Sequence, residues 1–271
     1  MKSKTRILAF IMTLCMLIGI LPVTVAAASG VIVGSYSVSK FSKDPWGGTW
    51  EYESSTNTLY LNGYSSGDTS TGDMAPNDSN QVIRNIYSDG DLTIVCKGDN
   101  KLRVGSGEFY VTGIHVRGTL TIKGDGTLTI DGGKGSSYYG YAKSTGIVTG
   151  GNCIIEGNVK VNINLPELTT GQQFGIRAGT SGSREVRIND NAELTIKNGN
   201  VEDGDSYGIQ GKCCMYGGKL DIEDGKVTHG YGRTVTGGLF MWDGTAHLKS
   251  YDTSPMVNAI NYSSQIGRAH V

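Results

Sequence analysis

Apolar and polar residues alternate strictly in two copies of Thr-Leu-Thr-Ile, at 119–122 and 127–130, joined by Lys123-Gly124-Asp125-Gly126. A period of two marks a strand with one buried face. Leu120, Ile122, Leu128 and Ile130 are therefore expected inside and the threonines outside. The plan recurs in both directions. Asp91-Leu92-Thr93-Ile94 and Lys101-Leu102-Arg103-Val104 flank Gly98-Asp99-Asn100, and Cys153-Ile154-Ile155 precedes Val159-Lys160-Val161-Asn162-Ile163. Glu185-Val186-Arg187-Ile188 pairs with Glu193-Leu194-Thr195-Ile196, and Lys212 to Tyr216 with Lys219-Leu220-Asp221-Ile222. Gly-Ile pairs at 113, 146, 175 and 208 open these units at spacings of 33, 29 and 33 residues, and Ala259-Ile260 reads as the start of another. A period near 30 with two or three short strands and no helical pattern between them marks a solenoid. Leucine-rich repeats would instead need one strand and a helical return. The expectation is an all-β, right-handed parallel β-helix over residues 65–265, its coils stacked about 4.8 Å apart.

The ends read differently. Lys2, Lys4 and Arg6, an apolar run from Ile7 to Val25 and Ala26-Ala27-Ala28 have the form of a secretory signal peptide over 1–28. Residues 29–64 form a lead-in whose Trp46, Trp50 and Tyr52 suit a cap over the first strand edge. Residues 65–80, rich in Ser, Gly, Asp, Thr and Asn, read as a surface loop. Residues 266–271 resemble the translation of a DNA-sequencing adapter, so the solenoid is expected to be truncated near Gln265.

Composition narrows the partners. Glycine supplies 41 of 271 residues but proline only five, which suits tight β corners and excludes collagen-like or proline-rich chains. Without the leader, 21 Lys+Arg face 25 Asp+Glu, a balance that argues against nucleic acid. No segment after the leader is apolar enough to span a bilayer. No Cys-x-x-Cys pair occurs, so no zinc site is expected. Cys153 aligns with Leu120 one coil earlier, and Cys214 falls near the same place two coils after Cys153. Two coils lie roughly 9–10 Å apart, beyond disulfide reach. Cys96, Cys153 and Cys214 are therefore expected as buried free thiols and Cys213 as outward-facing.

Candidate chemistry is expected in the segments preceding each Gly-Ile, namely 105–112, 131–145, 164–174 and 197–207, read as insertions on one flank of the solenoid. They carry Phe109 and Tyr110, then Tyr138, Tyr139 and Tyr141, then Phe174, then Tyr207. Stacked in register, these would form an aromatic strip suited to sugar rings, or alternatively an internal ladder, an alternative closest for Phe174 and Tyr207, which abut the glycine. The acidic runs Glu202-Asp203-Gly204-Asp205 and Asp221 to Asp224 could take calcium, although a solvated turn is favoured and no other cofactor is implied. Pairs of carboxylates are too common in a solenoid to assign glycoside hydrolysis. Arg177, Arg184, Arg187 and Lys197 could supply a lyase base. His115 and His247 read as exposed strand positions without partners.

Thr228-His229-Gly230 is similar to one short element of polygalacturonases, whose paired-aspartate and Arg-x-Lys elements have no counterpart here. More broadly, Asn62-Gly63-Tyr64 after Leu59 and Leu61, Asp91 to Ile94 with Gly98-Asp99-Asn100, and the repeated Gly-Ile/Leu-Thr-Ile units resemble secreted gut- and rumen-type bacterial proteins with carbohydrate-binding, pectin-lyase-like β-helix domains. The resemblance covers about 50–265. It implies a secreted or cell-surface protein that binds extracellular polysaccharide or adheres, and it assigns no catalytic residue. A polysaccharide lyase or glycoside hydrolase is the alternative, and a structural stalk the third.

Overall fold

The computed structural model describes residues 30–34, 36–37, 49–66, 82–108, 110–136, 142–179, 184–251 and 259–261. The expected leader, the adapter-like tail, Trp46, Phe109, Tyr138, Tyr139 and Tyr141 lie outside the described residues. The chain winds as an all-β parallel solenoid of about five turns, with no helix among the described residues. The first sheet runs Val82–Ser88, Tyr110–Val116, Lys143–Thr149, Leu168–Ala178, Val201–Gln210, then Val227–His229 and Gly232–Val235. The second contains two strands from each coil. One row is Thr58–Asn62, Leu92–Lys97, Leu120–Gly124, Cys153–Ile155 and Glu185–Ile188. The other is Asp99–Arg103, Thr127–Asp131, Lys160–Asn164 and Glu193–Lys197, and the rows merge in the long strands Lys212–Glu223 and Leu239–Lys249. At the N-terminal end, Trp50–Glu53 pairs antiparallel with Thr58–Asn62, and Trp50 and Tyr52 are buried.

Each inward position becomes a ladder. Ile86, Ile114, Ile147, Ile176, Ile209 and Val235 stack in register along the first sheet. Leu102, Ile130, Ile163, Ile196, Ile222 and Leu248 oppose them from the second. The Gly-Ile pairs lie inside the first-sheet strands rather than opening them. A Cβ on Gly113, Gly146, Gly175 or Gly208 would lie within 2.4–2.5 Å of the Cγ2 of Ile130, Ile163, Ile196 or Ile222. Glycine is required there for close approach, and both residues of the pair face inward, which shifts the alternation by one. The polar alternation ahead of each pair also continues as strand. Leu168–Ala178 and Val201–Gln210 pair along their length, so two of the expected insertions are sheet rather than loop.

The thiol register needs one correction. Leu92, Leu120, Cys153, Val186, Cys213 and Leu239 form a single core ladder, so Cys213 is the inward cysteine and Cys214 stacks on the opposite side between Arg187 and Phe240. A register shift between Met215 and Lys219, with Gly218 at φ 72°, absorbs the residue that counting back from Leu220 would place in the core. All four described cysteines are buried free thiols. Burial pushes Cys96 and Cys153 up to about 12 and raises Cys213 as well. A thiol reagent at pH 8 should find no fast-reacting cysteine in folded protein spanning 29–264 and all four after denaturation. A native thiol reacting at the free-cysteine rate would show that the ladder opens.

One core corner turns polar. Main-chain bonds join Leu165 to Lys197, Asn198 to Glu223 and Asp224 to Lys249, so Leu165, Asn198 and Asp224 occupy equivalent places in successive coils. The Asn198 amide donates to Ser206 Oγ at 3.1 Å and to Asp224 Oδ1 at 2.9 Å. Gln173, Ser206 and Asp224 are fully buried.

Candidate functional site

The outer surface of the first sheet gathers aromatic and cationic side chains. Either side of each inward Gly-Ile pair, three outward positions repeat from coil to coil. Tyr110, Lys143, Gln172 and Asp205 form one row. Arg84, Thr112, Thr145, Phe174, Tyr207 and Arg233 form the second, of which Arg84, Thr112, Thr145 and Phe174 are buried and only Tyr207 and Arg233 reach the surface. Tyr87, His115, Val148, Arg177 and Gln210 form the third. Six stacked strands give this surface a length of about 24 Å.

Phe174 and Tyr207, side by side in the second row, stack at 5.2 Å between centroids and 15° between planes. Arg177 lies over the Phe174 ring at 5.5 Å, and Phe174 is only 2% exposed. Burial, then the Asp205 charge and its hydrogen bond, push the Tyr207 phenol up to about 12. Asp205 is held by the Gln172 amide at 3.0 Å and the Tyr231 main-chain N–H at 3.1 Å. The Tyr231 ring is 59% exposed, with Arg233 at 5.5 Å over its face. In the first row, Lys143 Nζ lies 5.1 Å from the Tyr110 centroid. Burial, followed by the Arg177 charge, draws the Lys143 ammonium below its ordinary value. Toward the N-terminal end, Tyr87 meets His115 edge-on at 5.6 Å, with Arg84 at 4.8 Å and Arg117 at 5.9 Å over its ring. The Tyr87 hydroxyl donates to Asp89, and burial plus that bond raise it to about 12.

The expected aromatic strip is thus only partly formed. Phe174 and Tyr207 stack, but Tyr110 belongs to a different row, two residues before Thr112, and does not join them. Of the basic residues expected as lyase bases, Arg177 alone belongs to these rows. Arg187 lies on the second sheet, bonded to Glu185 at 2.8 Å, and Lys197 is on the other row of that sheet. His115 has Tyr87 as a neighbour, and His247 Nδ1 lies 3.4 Å from Asp221 Oδ1, so neither is the partnerless exposed position expected. The acidic runs disperse. Glu223 pairs with Lys249 at 2.7 Å and Asp224 is buried. Among the described residues no three His, Cys, Asp or Glu side chains converge as a metal site would require.

The sequence reading missed Arg84, Lys143 and Arg233 on this surface, and the exposed pair Tyr216–Trp242, stacked at 4.6 Å and 7° on the second sheet. The usable signal for the cations was their offset from Gly-Ile. Lys143 lies three residues before Gly146, as Tyr110 lies three before Gly113. Around the corner, Glu167, Asn200 and Lys226 line an open groove of about 270 Å³, but Asn200 bonds both the Glu167 carboxylate and the Lys226 main chain, which gives these groups a structural role. Fold and surface together define a parallel β-solenoid with an aromatic and basic outer face. Comparison with family models, curated proteins and solved structures finds no match to this chain.

Proposed function

We propose that this is a secreted or cell-surface protein that binds extracellular polysaccharide, without turnover, along the outer face of its first sheet. The observation that carries this reading is the exposed Tyr231 ring, with Arg233 over its face, one coil on from half-buried Tyr207, whose stacking partner Phe174 is itself buried. Flat apolar ring faces bordered by hydrogen-bonding groups suit sugars, which present C–H faces and hydroxyl edges. The coil repeat gives a polymer contacts at regular intervals. Tyr138, Tyr139 and Tyr141 remain proposed contacts, together with Phe109 and Tyr110.

A glycan array with protein spanning 29–264 tests this reading, alongside assays for new reducing ends and for unsaturated uronides. Binding without product is expected. Tyr231→Ala should weaken binding about threefold to tenfold, consistent with the loss of one ring contact, at unchanged thermal midpoint. Neither binding nor turnover would leave the stalk reading.

One observation favours a second reading, a polysaccharide lyase. Lys143 is half-buried, and burial and Arg177 together increase its neutral fraction, as a general base requires. Release of unsaturated product, lost in Lys143→Met, would replace the binding reading with this one.

A further inference from the structure

We infer that the exposed ring of Tyr231 is a subsite for an uncharged sugar unit, whose hydroxyls bond the Asp205 carboxylate and the Arg233 guanidinium beside it. This rests on the polysaccharide reading and adds a substrate class to it, neutral rather than acidic chains.

The ring is fixed before any ligand arrives. The Tyr231 main-chain N–H donates to Asp205 Oδ1 at 3.1 Å, and its main-chain carbonyl accepts the Ser206 N–H at 2.9 Å. Arg233 rests against the ring at 5.5 Å, yet 59% of Tyr231 stays exposed. A side chain held in this way loses little freedom on binding. Its hydroxyl is also open to a ligand. Tyr60 and Tyr251, exposed as well, commit theirs to Glu53 and Glu223 at 3.3 and 3.1 Å, whereas that of Tyr231 bonds no described residue.

The polar groups beside the ring supply both halves of a hydroxyl contact. A carboxylate offers roughly four acceptor positions. The Gln172 amide, the Tyr231 N–H and the Tyr207 phenol take three of those on Asp205, which leaves one for a sugar hydroxyl. Arg233, against the same ring, supplies donors only. Neighbouring sugar hydroxyls, each both donor and acceptor, match this acceptor and donor, while the ring takes a C–H face of the sugar.

The charges at this corner disfavour an acidic chain. Asp203 is exposed and stands in register with His229, two residues before Tyr231. Asp203 and Asp205 thus outnumber Arg233, and a uronate or sulfate brought onto the ring would meet net repulsion.

The test is calorimetric titration of the 29–264 protein at pH 8 with oligosaccharides of glucan, mannan and galactan. Each is paired with the form oxidised to a uronate at its primary hydroxyls. At least one neutral chain should bind, at least about fivefold more tightly than its oxidised form at low salt. About 0.5 M NaCl should close most of that gap by tightening the oxidised form, because salt screens the repulsion. Asp203→Asn, which removes one exposed charge, should narrow the gap in the same direction, with circular dichroism confirming the fold. Should Asp203→Asn not fold, the salt dependence of the unaltered protein provides the same readout. Oxidised chains that bind as tightly as neutral ones, or more tightly, would overturn the inference but leave the polysaccharide reading intact. A gap unmoved by both salt and Asp203→Asn would overturn it likewise. Binding of none of these chains would also overturn the inference, and the glycan array then decides the wider reading.

Discussion

Replacing Asp224 by asparagine should stabilise the protein at neutral pH and flatten its stability between about pH 4 and pH 7. Asp224 has no exposed surface, and burial drives its carboxyl from 3.8 up to about 7 even though the Asn198 amide donates to it at 2.9 Å. Below pH 4 the carboxyl is protonated in both folded and unfolded chains. As the pH rises toward 7 the unfolded chain releases the proton while the folded chain keeps it, so the folded state binds more protons and stability falls with rising pH. The full displacement corresponds to a ceiling of about 4 kcal/mol. Asparagine has nearly the same shape and carries no charge. At pH 8, Asp224→Asn should therefore gain about 2–4 kcal/mol over the unaltered protein and differ little from it at pH 4. Urea midpoints of both proteins at pH 4, 6 and 8 measure this, and their difference removes contributions from other titrating groups. A gap that fails to widen with pH would show that Asp224 is hydrated or paired in solution.

Asp224 also marks where the sequence stopped being legible. The Leu/Ile ladders could be read because alternation assigns each apolar residue a face, and the 29–33-residue spacing sets which residues stack. Cys153 over Leu120 followed directly. Two things broke the parity. The Gly-Ile pair turns two successive residues inward, so strand residues before it read as loop. The irregularity between Met215 and Lys219 exchanged the faces of Cys213 and Cys214. Asp224, in an acidic run, reads as a solvated turn, and only its register with Leu165 and Asn198 reveals an inward position. The functional surface suffered most. Lys143 and Arg177 are 34 residues apart, each in an ordinary polar context. Only stacking of the coils places both on one sheet face, whereas Phe174 and Tyr207 could be noticed because each directly precedes its Gly-Ile.

The largest loss of stability is expected from the corner that bends the first-sheet strands away from the neighbouring groove. Gly171, Gly204 and Gly230 occupy this corner in successive coils, at φ of 121°, 142° and 141°. A Cβ on Gly204 would lie 1.8 Å from the Gly171 carbonyl oxygen, and one on Gly230 would lie 1.7 Å from the Gly204 carbonyl oxygen. These contacts are with main chain, which cannot move aside without opening the stack. Gly204→Ala thus combines a backbone conformation that L-residues avoid with a steric clash between coils, and should cost about 3–5 kcal/mol. Gly63→Ala is the control. Gly63 has φ 67°, and a methyl group there would meet nothing within 4 Å, so only the left-handed backbone penalty of about 1–2 kcal/mol applies. Urea unfolding of the two variants separates the contributions. Because Asp205 and Tyr207 closely follow Gly204, any folded Gly204→Ala protein should also bind glycan more weakly, whereas Gly63→Ala should bind normally. Equal stability of the two variants would mean that adjacent coils do not share this corner.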